Sequence, residues 1–308
     1  MPRKHITIRD VAARAGVSTT TVSRVLNNKG EVTPDTRERV RQAMAEMEFT
    51  PSQVARGMAM VHSRTIGYVV SDMTNPFQGA IIQAIHRVAQ SRNYRVGTRI
   101  SYNDVAEEVS AIEALVADGV DGLILTLGPS TEVDRVIDRC IEEEVPIVCT
   151  SARPHNSRVS QIVPGTEEAS YQLVHHLISL GHRRIAHIKA SAATRGGRTK
   201  LAGYTRAMAE AGLPIEPELV VAADYDVDDG ARAAMQLFGL PVPPTAIFAT
   251  NDMVAMGTLM AAQKAGIRVP DELSVAGFDD IVFASCTNPP LTTVCQPGRE
   301  IGETAVNM

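Results

Sequence analysis

From Thr65 onward the chain repeats one pattern: a short, nearly continuous apolar run followed by an amphipathic stretch of helical period. The apolar runs fall at 66–70, 94–98, 122–127, 147–149, 185–188, 220–222, 246–249 and 274–277. The helical stretches fall at 79–91, 106–117, 132–143, 167–180, 200–210, 229–237 and 253–265. Runs that are apolar throughout, rather than alternating, predict parallel strands covered by helices on both faces. Eight such runs are more than a sheet of ordinary width holds. The polar stretch 153–161 is the natural place to divide them. The sequence therefore predicts an α/β core of two doubly wound parallel-sheet lobes.

The first sixty residues read differently. Thr7 is placed to cap a helix, with Asp10 three positions on as an acidic capping box. Ile8, Val11, Ala12 and Ala15 form a stripe of helical period, and Gly16 stands where a left-handed residue ends a helix. Ser18 is placed to cap a second helix by accepting from the amide of Thr21, and Val22, Val25 and Leu26 turn back on the first. Thr19, Thr20, Ser23, Arg24 and Asn27 are left outside. A third helix starts at Thr33-Pro34, with Val40, Ala43, Met44 and Met47 as its apolar face and Phe49 as a plug. This is an all-α helix-turn-helix head. The major groove admits a helix, hydroxyl-bearing threonines and serines serve as contacts to base edges or phosphates, and arginine takes guanine O6 and N7 together. A merely solvated face is the alternative. The stretch 50–60, opening on Thr50-Pro51 and containing Gly57, is a weak helix suited to folding only when bound.

Charge follows the same division. Residues 1–64 hold 11 Lys and Arg against 6 Asp and Glu, while the remainder holds 19 against 29. A basic head on an acidic body points to a polyanion partner for the head alone. The N-terminus carries no apolar signal segment, and no apolar run reaches about 18 residues, so the expected location is cytoplasmic with no membrane contact. Cys140, Cys149, Cys286 and Cys295 have no metal-type spacing and read as reduced thiols. His175, His176 and His182 lie on or beside a helix end, where a surface or dipole role outweighs metal ligation. There is no Gly-x-Gly-x-x-Gly after the first strand, no phosphate loop and no nucleophile elbow. No catalytic residue, metal site or cofactor is expected.

The head, with its Val17-Ser-Thr-Thr-Thr-Val-Ser23 run, resembles the lac repressor (LacI/GalR) family, in the manner of its purine-repressor members. The resemblance continues through Ser71-Asp-Met-Thr-Asn-Pro-Phe77, Gly119-Val-Asp-Gly-Leu-Ile-Leu125, Leu180-Gly-His-Arg-Arg-Ile185, Ala249-Thr-Asn-Asp-Met-Val-Ala-Met-Gly257 and Pro289-Pro-Leu-Thr-Thr-Val294. It implies a DNA-binding domain over 1–50, a hinge helix and linker over 51–64, and a periplasmic-binding-protein-like core over 65–308. The first lobe would take 65–162 and 293–308, and the second 163–292. DNA contact would fall on Thr7, Ser18, Thr19, Thr20, Thr21, Ser23, Arg24 and Asn27, and in the hinge on Ala55 and Met58. Met58 stands where the family wedges a leucine into a minor-groove base step.

In the cleft, the resemblance implies effector contacts from Phe77, Ser151, Lys200, Tyr225, Asn251, Asp279 and Gln296. Ser151 replaces an acidic ligand common in the family, Lys200 replaces arginine, and Pro164-Gly165 replaces a pair often written Asp-Asn. Asp279-Asp280 has a second reading as a helix cap. Members of the family continue for about thirty residues past Met308, so the helix begun near Pro297 is expected to leave core surface uncovered. The implied function is a transcriptional repressor: a homodimer on a palindromic double-stranded operator, controlled by a sugar-like or nucleobase-like effector between the lobes. The alternative is a solute-binding protein or sugar-processing enzyme sharing those lobes.

Overall fold

The computed structural model describes residues 7–26, 32–47, 63–128, 130–151, 158–190 and 195–308. The chain divides into two compact units, Met1–Ser63 and Arg64–Met308.

In the first unit, α1 (Ile8–Ala15), α2 (Thr19–Leu26) and α3 (Pro34–Glu46) pack around Val11, Ala12, Ala15, Val22, Val25, Val40 and Ala43. The expected caps form. The Thr7 amide donates to Asp10 Oδ2 at 2.7 Å, and the Asp10 amide donates back to Thr7 Oγ1 at 3.4 Å. Gly16 ends α1 at φ 66°, a conformation that strains any residue with a Cβ. Arg39 of α3 donates to the free Ala15 carbonyl at 2.7 Å, closing the same helix end. Phe49, the expected plug, lies outside the described residues, as does the side chain of Leu26.

The second unit holds two five-stranded, all-parallel sheets. The first runs β2–β1–β3–β4–β5, from β1 (Thr65–Val70), β2 (Arg95–Ile100), β3 (Gly122–Thr126), β4 (Ile147–Cys149) and β5 (Ser160–Gln161). Its helices are α4 (Pro76–Ser91), α5 (Val105–Ala117) and α6 (Thr131–Glu142). One face buries Ile112, Leu115, Leu125 and Ile137, and the other buries Tyr68, Val70, Ile81 and Ile85.

The second sheet runs β10–β9–β8–β6–β7, from β6 (Ile185–Lys189), β7 (Val220–Ala222), β8 (Ala246–Ala249), β9 (Ser274–Asp279) and β10 (Thr292–Cys295). Around it lie α7 (Thr166–Ser179), α8 (Arg195–Glu210), α9 (Val227–Phe238) and α10 (Asp252–Ala265). In its core, His187 stacks between Tyr204 and Phe248 and donates from Nδ1 to the Phe248 carbonyl at 3.0 Å. Burial pushes its pKa down to about 4, so the ring is neutral. His182 bridges Thr245 Oγ1 and Ser274 Oγ at 2.9 and 3.0 Å, an architectural role.

Two strands differ from expectation. β5 is two polar residues at a sheet edge, and β10 is a half-exposed edge strand, so neither has the continuous apolar run that marks the rest. Because β10 pairs with β9 from Thr292 to Cys295, the second lobe extends past the expected boundary at 292. The return to the first lobe falls between Cys295 and α11 (Gly298–Asn307). There Ile301 and Ala305 are buried in the first-lobe core, and Gly302 crosses α4 so closely that a Cβ would sit 2.5 Å from the Ile81 carbonyl oxygen. This helix therefore buries its apolar face against the first lobe.

Candidate functional site

Parallel strands aim all their carboxyl ends the same way, and ligands in such sheets sit beyond those ends. Ser71 follows β1, Asn103 follows β2, Thr126 ends β3, Thr150 and Ser151 follow β4, Tyr225 follows β7, Asn251 follows β8, Asp279 ends β9 and Gln296 follows β10. All of them line one cleft of about 350 Å³, within the size range of small-molecule sites. The seven expected effector residues, Phe77, Ser151, Lys200, Tyr225, Asn251, Asp279 and Gln296, are all in its wall. A larger and more open groove of about 1070 Å³ lies on the first lobe between α5 and α6. Its charged liners are exposed or half-buried rather than convergent, so the cleft is the better candidate.

Asp279 is the centre of the cleft. It is buried, and its backbone adopts φ 118°, with Asp280 following at φ 57°. Two successive non-glycine residues at positive φ are a strained pair of the kind found at functional sites. The carboxylate accepts from Asn75 Nδ2 at 3.1 Å and from Gln296 Nε2 at 2.6 Å. It caps no helix, so the second reading of Asp279-Asp280 does not describe it. Asn75 belongs to the first lobe, where its Oδ1 also caps α4 through the Phe77 amide at 2.9 Å. One asparagine thus starts a helix and ties the lobes together.

Lys200 of α8 is 5% exposed. Its ammonium donates to the Thr250 carbonyl at 2.5 Å and lies 4.2 Å from the centre of the Phe278 ring. Burial pushes the lysine pKa down, opposed by the negative charges of Asp279 and Asp252. Burial pushes Asp279 up, opposed by Lys200 and then by its two amide donors.

Several cleft residues already have protein partners. Asn251 caps α10 by accepting from the Val254 amide at 2.9 Å, and its Nδ2 donates to the Tyr225 carbonyl at 3.1 Å. Ser151 donates to the Leu127 carbonyl at 2.9 Å. Phe77 packs its ring where a Cβ at Gly298 would lie 3.1 Å away, so the expected aromatic wall leans on the start of α11. Asn75, Gln78, Asp72, Glu108 and Thr150 also line the cleft and were not among the expected contacts. Asn75 had a usable signal: asparagine immediately before proline is a helix start.

In the head, Ser18, Thr19, Thr20 and Arg24 are exposed, and Thr21 and Ser23 are half-buried. Ser18 Oγ accepts the Thr21 amide at 3.1 Å, fixing the start of α2. The exposed hydroxyls and the arginine therefore lie on a capped helix whose opposite side, Val22 and Val25, is in the core. Asn27, Ala55 and Met58 lie outside the described residues. No helix among the described residues is long and apolar enough to cross a membrane. Among the same residues no group of three His, Cys, Asp or Glu could hold a metal ion.

Known proteins share both parts. The profile of bacterial regulatory proteins of the lacI family matches residues 7–52, and that of the periplasmic binding protein-like domain matches residues 174–308. The HTH-type transcriptional regulator DegA of Bacillus subtilis (strain 168) is 36% identical over 297 residues, covering 96% of this chain and 88% of that protein. The HTH-type transcriptional repressor PurR of Vibrio parahaemolyticus serotype O3:K6 (strain RIMD 2210633) is 35% identical over 300 residues, covering 97% and 89%. Among solved structures, the lac repressor dimer bound to operator and the anti-inducer ONPF superposes with a TM-score of 0.87 at 31% identity, covering 99% of this chain and 91% of that one. These relatives are regulators of transcription rather than enzymes. The chain belongs to the lacI family of bacterial regulatory proteins.

Proposed function

We propose that this chain is a cytoplasmic transcriptional repressor that binds a palindromic operator as a homodimer, with its affinity set by a small molecule held between the lobes. Residues 1–50 read the DNA, 51–64 form the hinge and linker, and 65–308 bind the effector. α2 enters the major groove, where Thr19, Thr20 and Arg24 meet base edges and Thr7, Ser18, Thr21, Ser23 and Asn27 meet bases or phosphates. Ala55 and Met58 act in the minor groove, Met58 as the apolar wedge. Phe77, Ser151, Lys200, Tyr225, Asn251, Asp279 and Gln296 form the effector site.

The observation that carries this reading is the convergence of strand ends from both sheets on one cleft whose lobes meet at Asn75 and Asp279. A molecule seated there changes the angle between lobes, and the change reaches the DNA through the hinge. In a footprinting assay on the DNA upstream of its own gene, the full chain should protect a symmetric site that withstands moderate salt. Binding lost uniformly as salt rises, with no protected site, would leave only non-specific attraction and refute the proposal.

A further inference from the structure

Gln78 sits in the first turn of α4, three residues after its cap Asn75, and its side chain lines the cleft. Among the described residues, its Oε1 is the one buried side-chain atom of the cleft wall with no hydrogen-bond partner. Polar side chains of the same wall send their donors elsewhere: Asn75 Nδ2 to Asp279 and Ser151 Oγ to the Leu127 carbonyl. A buried amide carbonyl left without a donor is unfavourable, and buried polar atoms without partners call for an explanation. Here the missing donor belongs on a molecule in the cleft.

We infer that Gln78 is a specificity-determining residue of the effector site: its Oε1 accepts a hydrogen bond from an N–H or O–H of the effector. The inference rests on the cleft being the effector site and goes on to say what the effector must carry. It must place a donor over the first turn of α4, one turn from the Asn75–Asp279 contact that joins the lobes. An analogue lacking that donor leaves the carbonyl unpaired and is rejected, because a site built to hydrogen-bond one group discriminates against its absence. Gln78 therefore selects among otherwise similar molecules on the first-lobe side, while Lys200 and Asp279 hold the second-lobe side.

Two arms test this. In the ligand-free full chain, Gln78→Met keeps the length of the side chain and removes the carbonyl. Its melting temperature should equal or exceed that of the unaltered chain, because no partner is lost. A lower melting temperature would show a structural role and overturn the inference. In the second arm, D-ribose, D-glucose, D-gluconate and adenine are titrated by calorimetry against the unaltered chain, Gln78→Met, Gln78→Glu and Asp279→Ala. A probe that binds should lose about tenfold in affinity with Gln78→Met. It should keep its affinity with Gln78→Glu, whose carboxylate still accepts. A probe lost with Asp279→Ala but indifferent to Gln78→Met overturns the role of Gln78 alone, as does one lost with Gln78→Glu. A probe indifferent to Asp279→Ala binds outside the cleft and overturns the effector-site reading beneath it.

Discussion

Asp252 makes a quantitative test of the polar floor of the second lobe. It opens α10 and is fully buried. Its Oδ2 accepts the Ile281 amide at 2.8 Å and its Oδ1 accepts the Thr293 hydroxyl at 2.5 Å. Burial is the largest influence and pushes its pKa from 3.8 up to about 6, against both hydrogen bonds and with the help of Asp279 and Asp280. A carboxyl whose pKa is higher in the folded than in the unfolded state is a net cost once ionised. The folded chain binds the proton more tightly between pH 3.8 and about 6, so stability falls as pH rises through that window. Two units at about 1.4 kcal/mol each make the full cost about 3 kcal/mol above the window. Asp252→Asn removes it. The amide oxygen still accepts from Ile281, and the amide nitrogen donates to the Thr293 hydroxyl, which also has lone pairs. Loss of a negative charge in the first turn of α10 offsets about 0.5 kcal/mol. Urea unfolding followed by circular dichroism should find the variant about 2 kcal/mol more stable near neutrality and level with the unaltered chain near pH 4. Other carboxylates titrate in both proteins, so the difference between the two curves isolates Asp252. A variant less stable at neutral pH, or two curves with the same slope across the window, would refute the reasoning.

Asn75→Ser should retain the α4 cap but lose the bond to Asp279, for about 1.5–3 kcal/mol in urea unfolding, and Asn75→Ala should lose about 1 kcal/mol more. A serine variant as stable as the unaltered chain would remove the interlobe tie from the account. Lys200→Met leaves Asp279 without its buried cation and should cost about 3–5 kcal/mol, with partial recovery when Asp279→Asn is added. Additive effects in the double variant would separate the two groups. Arg24→Ala should lower affinity for the specific site by about 1–3 kcal/mol and relax selectivity at one base pair per half-site in a binding-site selection. The same loss on every sequence would make Arg24 a phosphate contact. Thr7→Ala removes the side-chain half of the α1 capping box, leaving the backbone amide to donate to Asp10, and should destabilise the isolated head by about 1 kcal/mol in thermal unfolding; no change would mean the Thr7 hydroxyl contributes nothing net.

The architecture was legible in the sequence wherever one physical cause dominated. Parallel strands covered on both faces must be apolar throughout, so β1, β3, β4, β6, β8 and β9 announced themselves. Edge strands escape that demand, and β5 and β10 left no such mark. The capped helices of the head were equally plain, because Thr7, Gly16, Ser18 and Thr33 each answer a local backbone need. The cleft was legible only in part. The order of strands brings Asp279, Asn251 and Ser151 to one place. What each side chain does there depends on partners far away in sequence. Asn75 and Asp279 are 204 positions apart, and no spacing rule couples them. Gln78, on the first turn of a helix, reads as an ordinary surface residue until the cavity beside it is known.

The same partners limit what an effector can gain. Asn251 and Ser151 have their hydrogen-bonding groups engaged by the protein, so the binding energy they offer is what remains after those bonds are kept. Asp279 is different, because its donors come from outside its own strand: Asn75 across the cleft and Gln296 at the crossing between lobes. A ligand group that donates to Asp279 would share the carboxylate with both. Binding at that carboxylate, as in the proposed function, would therefore act on the contact between the lobes and not only on the ligand. That would couple occupancy of the cleft to lobe geometry through two hydrogen bonds, without requiring any long pathway of intermediate residues. A single ammonium, held by the Thr250 carbonyl and the Phe278 ring, balances the charge of Asp279 while leaving its oxygens to the interlobe donors.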